Sequence, residues 1–96
     1  MPPYIKQDRR AKLNSPLAAL ITQLKSLNHE DLRDLDGDLN YVITKLLLEV
    51  YDLNNQPKYT KFNTILGILE AVKLELYRQR VALYEDEKIA ENGDIV

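Results

Sequence analysis

Asp34-Leu35-Asp36-Gly37-Asp38 spaces three carboxylates as a calcium loop opens, with hard oxygen ligands at its positions 1, 3 and 5. The rest of such a loop is missing. Position 6, where glycine makes the sharp turn, is Leu39, and position 12, where a glutamate binds through both oxygens, is Lys45. The run reads instead as an acidic helix N-terminus, where negative charge meets the positive end of the helix dipole. A second set, Glu49 and Asp52 with Glu70 and Glu75, is of the type that holds magnesium in all-helical nucleotide hydrolases, which need inward-facing acidic pairs at i, i+3 or i, i+4 on two helices. Glu70 and Glu75 are five apart and point to different faces. A magnesium-dependent nucleotide hydrolase using Glu49, Asp52 and Glu70 is therefore the weakest reading. His29 has no Ser or Cys partner in a recognisable motif, and there is no glycine-rich phosphate loop. With no Cys and one His, thiolate zinc sites, iron–sulfur clusters, thiol nucleophiles and multi-histidine sites are excluded. No catalytic residue, metal or cofactor is expected, and the chain is not expected to be an enzyme.

The tyrosines are more informative. There are six, against one Phe and no Trp. Tyr77 and Tyr84, seven apart, are expected on one helix face with Lys73 and Arg80, a ridge apolar at its base and polar at its tips. Such rings beside cations favour protein interfaces, and they can also clamp a planar anion. The plain alternative puts Tyr77 at the core margin with its hydroxyl in water. Asn40, Tyr41 and Thr44 form a comparable polar patch, continued by Leu48 and lying away from the core stripe of their helix.

The elements that must position these residues read as all-α, with three to four helices in a single domain over 1–96. Residues 1–13 form an arm or short helix. Asn14-Ser15-Pro16 starts a helix with a capping side chain followed by Pro at the first helical position. Its stripe is Leu17, Leu20, Ile21, Leu24 and Leu27. Asn28 to Asp38 reads as a connection with room for one short helical turn, and His29 at the surface. Asp38 then caps a helix from Leu39 to about Leu53, with the stripe Leu39, Val42, Ile43, Leu46, Leu47, Val50 and Leu53. Asn54-Asn55-Gln56-Pro57 ends it and turns the chain into a helical hairpin. The last helix opens near Tyr59-Thr60 and runs to Leu83 or as far as Asn92, where Gly93 offers a left-handed stop. About 25 helical residues span roughly 37 Å, against a radius of gyration of about 12–13 Å for a domain of this size. With Ile68, Leu74 and Val81 off its main stripe, this helix is expected to pack against another chain.

Net charge −2 and a pI of 5.3 argue against a binder of nucleic-acid polymers, which needs a basic surplus. The apolar runs are far shorter than the roughly 20 residues of a membrane span. The apolar segment after the basic N-terminal residues is too short for a signal peptide, so a cytoplasmic protein is expected. Charge is segregated: Lys6, Arg9, Arg10 and Lys12 lie near the start, and 85–96 is an acidic tail with Glu85, Asp86, Glu87, Glu91 and Asp94. A head-to-tail contact between chains would satisfy both ends.

Four segments carry a resemblance: Pro3-Tyr4-Ile5-Lys6, Leu39-Asn40-Tyr41-Val42-Ile43-Thr44, the stretch from Leu69-Glu70 to Tyr77-Arg78, and the ending Tyr84-Glu85-Asp86-Glu87-Lys88-Ile89 through Glu91-Asn92-Gly93-Asp94. The chain resembles a family of short proteins of unknown function from bacteriophages and bacterial genomes. The resemblance implies a phage or prophage context, hence the host bacterial cytoplasm, and no activity. Leu83 stands where it implies a proline, so the last helix is free to continue. The expectation is a small helical accessory protein that acts by binding, as a homo-oligomer built on its last helix, with a host protein as a further partner. The alternative is a sponge for a nucleotide-like anion, lined by Tyr77, Arg80, Lys73 and Tyr4.

Overall fold

A computed structural model describes residues 3–27 and 31–96, with the side chain of Leu32 left out. All regular structure among them is helical: α1 (Gln7–Ser26), α2 (Leu32–Val50), α3 (Tyr59–Leu76), a π-helical turn (Tyr77–Val81) and α4 (Ala82–Asn92). The last three follow without a gap, so the described residues form three helical runs, the last of them long. The all-α expectation holds. The chain divides into two compact units, Tyr4–Lys61 and Phe62–Val96, the latter including Pro3.

In the first unit, α1 begins at Gln7 and carries Pro16 in its interior, so Asn14-Ser15-Pro16 is not a helix start. Arg9, Arg10, Ala11, Lys12 and Leu13 are strong helix formers, and they carry the helix through one lost backbone bond. The expected arm is thus the first half of α1. Arg10 Nε ties its entry to the Ile5 carbonyl at 2.8 Å.

The start of α2 also differs from expectation. Asp31, not Asp38, is the N-cap: its backbone is extended, and Oδ1 accepts from the Arg33 backbone N–H at 2.9 Å. An effective cap with Asp34 in the first turn outweighs the cost of Gly37, so residues 32–38 are continuous with α2 rather than at most one turn inside a connection. His29 lies outside the described residues. The far end comes earlier than Leu53. Asp52 adopts the left-handed region (φ 52°), its N–H donates to Glu49 O at 3.2 Å, and the Leu53 N–H donates to Leu48 O at 3.0 Å. These two bonds are the Schellman stop. Asn55 Nδ2 on Asp52 Oδ1 (2.8 Å) and Lys61 Nζ on the Tyr51 carbonyl (2.8 Å) fix the turn that follows.

The second unit is dominated by the helical run that ends at Asn92. Gly93 ends it at the expected position, in an extended positive-φ conformation (φ 89°, ψ 153°) rather than the left-handed one, and its N–H donates to Ile89 O at 2.8 Å. The interruption at Tyr77–Val81 was not expected from the sequence. Hydrogen bonds there run i→i+5, so the turn holds one more residue than an α-turn and rotates α4 by about 100° relative to an unbroken helix.

Burial is sparse in both units. Ile65 is the one apolar side chain among the described residues that is buried. On α2, Leu39, Ile43, Leu46 and Val50 from the expected core stripe are exposed. On the last run the same holds for Phe62, Leu66, Leu69, Val72, Leu76 and Leu83. The stripes are where the periodicity puts them, but most of them face outward.

Candidate functional site

The π-turn decides which side chains of the last run share a face. In an unbroken helix Tyr84 would stand almost directly beyond Tyr77, since seven residues make close to two turns. With the extra residue in the turn, Glu85 takes that place, and the Tyr77 hydroxyl donates to Glu85 Oε2 at 3.2 Å. The negative charge of Glu85, and then its hydrogen bond, push the Tyr77 phenol above its ordinary value of 10.0. Tyr84 belongs to a separate arrangement, with Lys88 Nζ 5.5 Å from its ring centroid, a cation–π contact. Lys73 pairs with Glu70 at 3.2 Å. Arg80, with Ile68, Val72, Leu76 and Pro3, helps line a depression of about 420 Å³. The extra residue therefore parts Tyr77 from Tyr84, which the expected ridge of Tyr77, Tyr84, Lys73 and Arg80 sets on one face. Tyr4, exposed ahead of α1, belongs to the other unit.

The α2 patch is brought together as expected. Asn40, Tyr41, Thr44 and Leu48 line one open groove of about 600 Å³ along the helix, joined by Asp36, Gly37 and Lys45. Thr44 Oγ1 donates to Asn40 Oδ1 at 3.1 Å, which fixes the amide's orientation. Tyr41 stands 67% exposed. Lys45 pairs with Glu49 at 3.0 Å, and that carboxylate holds the ammonium above its ordinary value.

The carboxylates weighed for magnesium are committed elsewhere. Glu49 pairs with Lys45, Asp52 accepts from Asn55, and Glu70, in the other unit, pairs with Lys73. Among the described residues no three carboxylate or imidazole side chains converge as metal ligands would. No helix of the described residues is long and apolar enough to cross a membrane.

Sequence reasoning missed Glu85, Gly37 and Asp31. Glu85 had one available signal. Leu76 and Val81 are five apart, the hydrogen-bond span of a π-turn, and Val81 (39% exposed) is better covered than Leu83 (58%), which the unbroken helix would have placed on the stripe.

The described residues thus define a small all-helical protein whose apolar stripes are largely uncovered. Residues 1–95 match the model of a family described as a domain of unknown function (DUF6899), and the chain belongs to that family. Neither a curated protein nor a solved structure matches it.

Proposed function

We propose that the protein is a non-enzymatic accessory subunit that works by binding, and that copies of it associate through the helical run from residue 62 to 92. The carrying observation is apolar exposure on more than one side of that run: Leu66 at 64%, Leu74 at 57% and Leu83 at 58%. A helix apolar on several sides needs more than one neighbour. The motif resemblance of the Tyr84–Asp94 ending supports a phage or prophage context, with the host bacterial cytoplasm as the place of action.

Sequestration of a nucleotide-like anion has less support. Glu85 on Tyr77 and Glu70 on Lys73 each set a carboxylate where the anion would have to sit.

Light scattering at micromolar concentration tests the proposal. The expected mass is a multiple of 11.1 kDa, reduced by Leu76→Glu with Leu83→Glu. A wild-type mass of 11.1 kDa at every concentration would refute it.

A further inference from the structure

Gly37 sits inside α2 at a cost, because a helical glycine loses more chain freedom on folding than alanine would. Two causes commonly retain such a residue: a backbone angle that only glycine adopts, or a neighbour too close for a Cβ. Neither operates among the described residues. Its φ is not in the positive region, and a Cβ built there meets none of their atoms within 4 Å. The space over Gly37 is open and belongs to the groove that Asn40, Tyr41 and Thr44 line.

We propose that this face of α2 docks against the same face of a second copy, the two helices running antiparallel. Place a two-fold axis between Asn40 and Tyr41. Asp36 then meets Lys45 of the second copy, Gly37 meets Thr44, and Asn40 meets Tyr41, each pairing occurring twice as an isologous contact requires. The chemistry of the three pairs is complementary. A carboxylate faces an ammonium at each end. A glycine opposite a small side chain lets the backbones come close. An amide whose oxygen is already held by Thr44 turns its N–H groups toward a phenol.

Parallel docking instead sets Asp36 on Asp36 and Lys45 on Lys45. A foreign partner has no need to match the order of this face with its own reverse, so the occupant is a second copy. The contact is independent of the one through residues 62–92. A chain with two different two-fold contacts assembles beyond a dimer.

Charge exchange in the full chain, read by sedimentation equilibrium, is the test. Asp36→Lys alone sets like charges together at both ends, as does Lys45→Asp alone, and each is expected to weaken association roughly tenfold or more. An equal mixture of the two variants, and the chain carrying both changes, restore opposite charges and are expected to recover it. The antiparallel contact is overturned if the mixture and the double variant stay as weak as the single ones, or if the single ones associate like wild type.

Gly37→Ala supplies a second measure. Helicity by circular dichroism should rise while association falls, and unchanged association would overturn the close approach. Leu76→Glu with Leu83→Glu separates the two contacts. It lowers the mass of every variant but leaves the charge-exchange pattern on α2 intact.

Discussion

The hydroxyl of Tyr77 reaches the carboxylate of Glu85, eight positions on, at 3.2 Å. That pairing exists because the π-turn between them advances the chain by one residue. It fixes which side of α4 continues the faces of α3. The phenol is raised by Glu85, so the neutral form is favoured in the fold. Its contribution is fully present below the ordinary value of 10.0 and is lost as pH rises through the higher folded value. Ultraviolet titration should find Tyr77 ionising later than a free phenol, and Glu85→Gln should lower its value.

Removing Gln79 from the turn should convert the run into an unbroken α-helix. Helicity would be kept, while α4 would rotate by about 100° and the Tyr77–Glu85 bond would be lost. Association through the run should weaken. A deletion variant that assembles like wild type would show that the turn does not set the contact face.

Thermal stability should depend on concentration, because association stabilises only the folded chain. About a hundredfold dilution in the micromolar range is expected to lower Tm by several degrees, read by circular dichroism. A Tm independent of concentration would mean that the exposed stripes are left bare in the native state.

At the start of α2, Arg33 holds Asp31 below its ordinary value of 3.8, first through its side chain and then through its backbone N–H. A carboxylate with a depressed value stabilises the fold above the unfolded value and ceases to do so as pH falls through the folded one. Acid titration should therefore fray α2 in the most acidic range. Asp31→Asn should keep a cap but lose that pH dependence, and Asp31→Ala should lower helicity at neutral pH as well.

Pro16→Ala should stabilise α1 by up to about 3 kcal/mol, because it restores a donor to the Lys12 carbonyl and removes the ring from the helix interior. Chemical denaturation reads this directly. A destabilised variant would mean that the proline is needed for a bend or a contact.

Helix type, the turn around Asn54–Pro57, and the end at Gly93 were all legible, since periodicity, capping chemistry and glycine geometry act locally. Helix starts were harder. Asp31 and Asp38 are equal candidates by residue type, and only the bond to Arg33 distinguishes them. Pro16 misled because its usual place is the first turn, while the strength of its neighbours decided otherwise. On the patch of Asn40, Tyr41 and Thr44, three residues at helical spacing had to share a face wherever the helix began. The ridge of Tyr77 and Tyr84 depended on an unbroken period over two turns, and a single extra residue was enough to divide it.

Ile65 is the one buried apolar side chain among the described residues. Backbone near a single buried residue opens often, and an opened backbone is what a protease cuts. If copies associate as proposed, those that find no neighbour would be degraded first, while assembled copies would persist. Turnover would then trim the pool to those chains that have found their place, so that the amount of protein is set by its own interactions as well as by the rate at which it is made.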